Sequence, residues 1–199
     1  SGAPLSQASF LNKFARVSSN SQEWSRLEYF LQISLGSSTA VIKNIWSIAN
    51  PNMTMNFEKK NKVNIIHFSF GQNIYFTVLT QGLLTLESWL ETSLLDENNR
   101  PEKVCNKGFD FPPQGLLFPT GHITLNQGVY QGKSRIYELF FLKVACGRSY
   151  CVSLKSGNMI KNKKNLPYGF DSVYIMRSEE EEDSKLYKHD YILFDNTQV

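Results

Sequence analysis

The segment YELFFLKVA, from Tyr137 to Ala145, is the clearest strand pattern in this chain and decides its fold class. Its apolar residues include three aromatic side chains and Val144, and Gly147 follows as a turn signal. Two more runs of the same character come later, at Tyr150–Leu154 and at Tyr187–Phe194. Several short strands that follow one another along the chain predict a mainly antiparallel sheet.

The N-terminal half predicts a helix from Ser21 to Leu35, with Ser21 as its N-cap and Gly36 as its end. Its apolar residues recur at helical spacing, namely Trp24, Leu27, Phe30 and Leu31. Strands are predicted at 40–49 and 63–70, and a short helix at 72–83. The order of elements indicates an α+β protein with a mainly antiparallel split sheet and flanking helices.

The middle of the chain, residues 90–126, is predicted to be a long inserted loop, with one helix near Leu84–Leu95. The segment is interrupted by proline and glycine at Pro101, Gly108, Pro112, Pro113, Gly115, Pro119 and Gly121. A loop of this length in a compact domain is often functional. If it fills a pocket, its apolar residues should be buried against Tyr130 or Tyr137; these are Phe109, Phe111, Leu116 and Phe118.

Composition indicates one globular domain over residues 1–199, which we expect to be a fragment of a longer intracellular protein. The apolar fraction is 41% and the charged fraction 20%, so disorder of the whole chain is excluded. The net charge of +3 is too small to indicate nucleic-acid binding by itself. No apolar run approaches the ~18 residues that a membrane-spanning helix needs, so we expect no membrane association. Three cysteines without paired spacing favour reduced thiols.

Common catalytic motifs are absent from the sequence. It contains no phosphate loop, no dinucleotide fingerprint, no HExxH helix and no GxSxG elbow. The basic stretch Lys155–Lys164 and the acidic run Glu179–Asp183 are interpreted as solvated surface. Nucleic-acid binding through the lysines is only weakly supported, because no aromatic residues alternate with them.

Four segments, taken in order, resemble the catalytic domain of the poly(ADP-ribose) polymerases, which has the diphtheria-toxin-like ADP-ribosyltransferase fold. They are Tyr29–Lys60, Asn61–Leu84, Asn126–Tyr137 and Leu166–Val199. The third, NQGVYQGKSRIY, is similar to a glycine-tyrosine motif followed by a lysine-serine-tyrosine motif. The last is the most specific, because its SV pair, its YI run and its closing QV keep the family's order.

The resemblance implies chemistry on NAD and assigns site residues. In the family, a histidine and a tyrosine hold the adenosine ribose and the nicotinamide ring of NAD, and this tyrosine falls on Tyr130. The residues of the lysine-serine-tyrosine motif fall on Lys133, Ser134 and Tyr137. Its catalytic glutamate falls on Asp190, which is one methylene shorter. A misplacement of about an ångström can cost ~100-fold in rate.

The family's histidine-glycine pair is disrupted in this chain. The family's histidine falls on Phe68, with His67 one place earlier, so the backbone that should approach the carboxamide belongs to Phe68 and Ser69. A bulky side chain there would crowd that approach. A slip of one residue in a strand also sends a side chain to the opposite face.

We therefore expect a degenerate pseudo-PARP domain, similar to that of the TASOR-type subunits of chromatin-silencing complexes. Such a domain would be a nuclear interaction or assembly module with protein partners and no bound cofactor. The alternative is an active mono-ADP-ribosyltransferase that uses NAD through His67, Tyr130 and Asp190.

Overall fold

The computed structural model describes most of the chain, namely residues 13–60, 65–70, 74–79, 84–126, 128–131, 134–153, 160, 162–176 and 188–199. Its α-helices are α1 (Gln22–Leu35), α2 (Pro51–Lys60) and α3 (Pro101–Lys107). Its first six strands are β1 (Lys13–Arg16), β2 (Trp46–Ala49), β3 (Ile65–Phe70), β4 (Ile74–Leu79), β5 (Thr85–Glu91) and β6 (Leu116–Gly121). The others are β7 (Val129–Gln131), β8 (Ser134–Ile136), β9 (Leu139–Ala145), β10 (Ser149–Ser153), β11 (Ser172–Met176) and β12 (Lys188–Leu193).

The largest sheet has six strands in the order β10-β11-β12-β6-β5-β9. All neighbours in it are antiparallel except β10 and β11, which are parallel. Three two-stranded sheets, β1-β2, β3-β4 and β7-β8, complete the described strands. The mixed α+β class with a mostly antiparallel sheet is therefore confirmed.

Helix α1 lies where the sequence predicts it, with both of its caps. The Ser21 hydroxyl accepts a hydrogen bond from the backbone N–H of Trp24 at 3.1 Å, and Gly36 ends the helix in the left-handed region at φ 60°. The buried face contains Trp24, Leu27 and Leu31. The rings of Phe30 and Phe141 stack with centroids 6.4 Å apart, so the helix packs beside β9 of the large sheet.

The later predicted strands are confirmed as β9, β10 and β12, all in the large sheet. The strand predicted at 63–70 exists as β3, but it pairs with β4 in a separate sheet, so the expectation of one common antiparallel sheet is wrong on this point. The helix predicted at 72–83 is also wrong, since Ile74–Leu79 is a strand. The β-branched and aromatic residues of IYFTVL favour a strand, and the glycine that follows suits either element. Of the strand predicted at 40–49, only Trp46–Ala49 forms.

Residues 90–126 are not the long loop that the sequence predicts. The segment contains α3 and also β6, which lies inside the large sheet between β12 and β5. The helix predicted near Leu84–Leu95 is instead strand β5. Two of the proline and glycine residues mark the ends of a helix: Pro101 is the first residue of α3, and Gly108 ends that helix with φ 82°.

The apolar residues of this segment form the main core. Phe109 and Phe118 are buried, with ring centroids 5.7 Å apart, and Phe111 and Leu116 pack against their cluster. Phe109 and Phe118 are therefore buried as expected, whereas Phe111 and Leu116 are half-buried. The expected partners, Tyr130 and Tyr137, are wrong, because the ring contacts of Phe109 are to Phe111, Phe118 and Phe140 of the core. The buried members of this cluster are Leu90, Val104, Cys105, Phe109, Phe118, Phe140, Val144, Cys146, Leu193 and Val199.

A second cluster lies on the other face of the large sheet, because successive side chains of a strand point in opposite directions. On β12, Leu193 belongs to the main core and Ile192 to this second cluster. Its buried members are Val152, Val173, Ile175, Ile192 and Phe194. Burial on both faces explains the apolar run Val173–Ile175 of β11 and the apolar second half of β12, Tyr191–Leu193.

Candidate functional site

Three residues assigned by the resemblance lie together on the β7-β8 hairpin. Tyr130 is on β7, Ser134 is the first residue of β8, and Tyr137 directly follows β8. In the antiparallel register, Tyr130 lies opposite Arg135, and Gln131 lies opposite Ser134. Because residues directly opposite each other share a face of the ribbon, the Tyr130 and Arg135 side chains lie on the same side.

Arg135 occupies the space above the Tyr130 ring. Its guanidinium carbon lies 4.5 Å from the ring centroid, which is the geometry of a cation–π contact. Side-chain hydrogen bonding with Tyr137, and then with Tyr130, raises the pKa of the guanidinium above its usual value. The Tyr130 side chain is nevertheless 68% exposed. The tyrosine therefore stands on the surface of the hairpin with a cation already over its ring.

The Tyr137 ring lies close to the backbone at Gly128. A Cβ at Gly128 would lie 2.8 Å from both Cε1 and Cζ of Tyr137 and 3.0 Å from the carbonyl oxygen of Ile136. Real Cβ atoms do not approach ring carbons that closely, so a side chain at position 128 would force the Tyr137 ring to shift. We refer to Gly128, Tyr130, Arg135 and Tyr137 as the hairpin cluster.

Asp190, the predicted equivalent of the catalytic glutamate, lies in a different sheet. It is in the middle of β12, opposite Pro119 of β6 and Ile175 of β11. Its side chain is only 5% exposed. The carboxylate therefore belongs to the interior of the large sheet, whereas Tyr130 belongs to an exposed two-stranded ribbon.

The face of β12 opposite to the Asp190 side chain carries half-buried aromatic rings, because His189 and Tyr191 are the residues on either side of Asp190 in the strand. The hydroxyl of Tyr174 and Nδ1 of His189 are 2.9 Å apart. The rings of Tyr174 and Tyr191 lie with centroids 5.1 Å apart. Burial raises the pKa of the Tyr191 phenol, so it is un-ionised at neutral pH.

The remaining assigned residues are partly outside the described structure. The backbone of His67, Phe68 and Ser69 lies in β3, opposite Thr77, Phe76 and Tyr75 of β4. The side chains of this hairpin, and all of Lys133, lie outside the described residues. The assigned positions on β3 and on β7-β8 therefore belong to two separate ribbons, and Asp190 to the large sheet.

A cavity of about 390 Å³ lies next to the hairpin cluster in the chain. It is acidic, with carboxylates from Asp96, Glu97, Glu102 and Glu138 on its walls. Arg100 pairs with Glu97 at 2.7 Å, and Glu138 accepts a hydrogen bond from the Thr92 hydroxyl at 2.9 Å. The lining includes neither Tyr130 nor Asp190. This cavity is therefore not the predicted donor site.

Metal and thiol chemistry find no support in the part of the chain that the structure describes. No group of three or more His, Cys, Asp or Glu side chains there could hold a metal ion. Burial raises the pKa of the Cys146 thiol to about 12 and also raises the pKa of Cys105, so both thiols stay protonated at neutral pH. Cys151 is the exposed cysteine.

Arg135 is the residue of this site that the motif comparison missed. The resemblance draws attention to Tyr130, Ser134 and Tyr137, and the arginine stands between them without an assigned role. The signal was present in the spacing, because Tyr130 and Arg135 are equally far from the midpoint between Gly132 and Lys133. In a tight hairpin, two such positions face each other across the strands.

Two comparisons with known proteins were negative. No protein-family model matches this chain. A search of curated proteins also finds no significant match. Among the described residues, no helix is long and apolar enough to cross a membrane.

Proposed function

We propose that this chain is a degenerate ADP-ribosyltransferase-like domain, of the pseudo-PARP type, that serves as a protein-interaction module in a nuclear chromatin-silencing protein. In this proposal it binds no NAD. The sequence resemblance supports the fold family and the nuclear setting. The observation that carries the loss of catalysis is the position of Asp190, whose side chain is 5% exposed in the middle of the large sheet.

Transfer of ADP-ribose requires a carboxylate that contacts the donor ribose as the glycosidic bond breaks. Stabilising the developing positive charge depends on placement to within about an ångström. Asp190 has a shorter side chain than glutamate, and that side chain is only 5% exposed on a strand that is paired on both edges, with β6 and with β11. These two features argue against its use as the catalytic acid.

The tyrosine position also favours a role other than donor binding. A nicotinamide ring that stacked on Tyr130 from the side of Arg135 would displace the guanidinium, which lies 4.5 Å from the ring centroid. Exposed tyrosine and arginine side chains are instead typical of protein-protein interfaces. A catalytic site is separable from the fold that carries it, so a domain that loses its catalytic residues can be retained for its contacts with other proteins.

Catalysis is tested with the purified chain, isotopically labelled NAD and detection of both nicotinamide release and covalent ADP-ribose by mass. We expect neither product for the wild-type chain or for the matched Asp190→Asn and Tyr130→Ala variants. Nicotinamide release by the wild-type chain that Asp190→Asn abolishes would establish the alternative, an active mono-ADP-ribosyltransferase.

The interaction role is tested in cells with a silenced reporter. One line carries the parent protein without this chain, and a second carries the parent protein with Asp190→Asn. We expect the deletion to restore reporter expression and the single substitution to leave silencing intact. Silencing that survives the deletion would contradict the proposed function.

A further inference from the structure

We propose that the exposed face of the hairpin cluster binds an acidic, extended segment of a partner protein. This inference rests on the proposed role as an interaction module and names the surface and the chemistry of the partner. Three features of the β7-β8 hairpin carry it: a cation that pairs with no carboxylate of the described residues, a prearranged aromatic setting, and two strand edges.

The first feature is charge. The stretch Asn126–Tyr137 contains Lys133 and Arg135 and no acidic residue. In the part of the chain that the structure describes, the Arg135 guanidinium lies over the Tyr130 ring, and no carboxylate pairs with it. A guanidinium presents several N–H donors in a fixed fork that matches a carboxylate. An acidic side chain is therefore the complementary group.

The second feature is prearrangement. The Tyr137 ring lies against the backbone at Gly128, and the Arg135 guanidinium lies over the Tyr130 ring. A side chain that is already placed loses less conformational freedom when a ligand binds. The tyrosines also provide apolar area with few rotatable bonds, which is why aromatic residues are frequent at the centres of interfaces.

The third feature is the free backbone of the ribbon. Strands β7 and β8 pair with each other and, among the described strands, with no other. Each outer edge of such a ribbon offers N–H and C=O groups to an added strand. Alternate side chains of a segment added beside β7 would face Tyr130 on one side and Val129 on the other, and both residues are exposed, at 68% and 74%.

The neighbouring acidic cavity favours a peptide over a nucleic acid. Glu138 directly follows Tyr137 and lines that cavity together with Asp96, Glu97 and Glu102. A nucleic acid is a continuous row of phosphates and would meet these carboxylates when it extended beyond the hairpin. A peptide can place one or two carboxylates at Arg135 and end there.

The experiment measures fluorescence anisotropy of three labelled probes against the full chain at low salt. The probes are a ten-residue peptide of alternating valine and serine in which the two central serines are replaced by glutamate, the same peptide with glutamine in place of glutamate, and a twelve-nucleotide single-stranded DNA. The variants are Arg135→Gln, Arg135→Lys, Gly128→Ala and Arg148→Gln. Arg148 is the matched control, because its guanidinium also lies over an aromatic ring, that of Phe170, at 5.1 Å.

We expect the glutamate peptide to bind wild type and to lose about 10-fold or more in affinity with Arg135→Gln, as for a charged hydrogen bond. Arg135→Lys should recover only part of this loss, and Gly128→Ala should weaken binding with the charge unchanged. Arg148→Gln should bind like wild type. Circular dichroism of each variant checks that the chain remains folded.

Several results would overturn the inference. They are equal binding of the glutamate and glutamine peptides, equal losses with Arg135→Gln and Arg148→Gln, tighter binding of the DNA, or no binding of any probe by wild type. None of these results changes the reporter or NAD experiments of the proposed function. Conversely, NAD turnover would contradict the proposed function without altering the peptide result.

Discussion

Replacing Gln198 by leucine should destabilise the whole domain, although the residue lies next to the last position of the chain. Gln198 is fully buried. Its Nε2 donates to the carbonyl oxygens of Ala145 and Asp171 at 3.2 and 3.1 Å, and its Oε1 accepts from the backbone N–H of Phe194 at 3.0 Å. One amide thus joins the end of β9, the start of β11 and the end of β12.

The magnitude follows from these three bonds. Each contributes about 1 kcal/mol net, so their loss costs about 3 kcal/mol, and the polar groups left buried without a partner raise this toward about 5 kcal/mol. For a chain of 199 residues, a loss of 3 kcal/mol lowers Tm by roughly 6–12 °C. Leucine has a similar volume to glutamine, so a cavity contributes little to the expected change.

The assay is urea unfolding followed by tryptophan fluorescence, with the midpoint and the slope fitted separately. The matched control is Gln114→Leu, because Gln114 is exposed and its replacement should change the unfolding free energy by no more than about 0.5 kcal/mol. In Gln198→Glu, the new carboxylate faces two carbonyls, so stability should be low at pH 7 and rise as acid protonates it. A loss below 1 kcal/mol for Gln198→Leu, or a loss equal to that of the control, would refute this account.

Three further outcomes are expected. Iodoacetamide at pH 8 should label Cys151 first, because Cys146 is buried with its pKa raised to about 12; peptide mass mapping that finds Cys146 labelled equally fast would contradict this. Gly115→Ala should cost more than about 2 kcal/mol in chemical unfolding, since φ is +81° and the new Cβ would lie 2.5 Å from the Leu193 carbonyl oxygen; a neutral result would show that the turn is adaptable. Ser21→Ala should cost about 1 kcal/mol through loss of the helix cap, and Ser21→Asn should restore most of it.

The closing QV of the chain shows how a motif can be explained by packing. It is part of the segment that most resembles the ADP-ribosyltransferase family. In the structure, Gln198 ties three strands together and Val199 is part of the main core. Both residues therefore have a structural role that is independent of any reaction.

Local sequence was sufficient for the elements whose signals lie within a few residues. Ser21 and Gly36 mark the two ends of α1, because an N-cap and a left-handed C-terminal glycine act within one helical turn. The strand patterns of β9, β10 and β12 depend only on residue type. The predictions for β4 and β5 failed because a short apolar run suits a helix or a strand, and its neighbours in space make the choice.

The pairing of the strands and the burial of individual side chains could be read only from the tertiary structure. No local pattern places β6, with Pro119 inside it, between β12 and β5, or makes β10 parallel to β11. Nor does the spacing along the chain show that Asp190 is buried in that sheet while Tyr130 is exposed beneath Arg135. Residue type and periodicity act over one turn or one strand, and so they decide which elements form. The partner of a strand, and the depth of a carboxylate, depend on contacts between residues tens of positions apart, which are set only when the whole chain has folded.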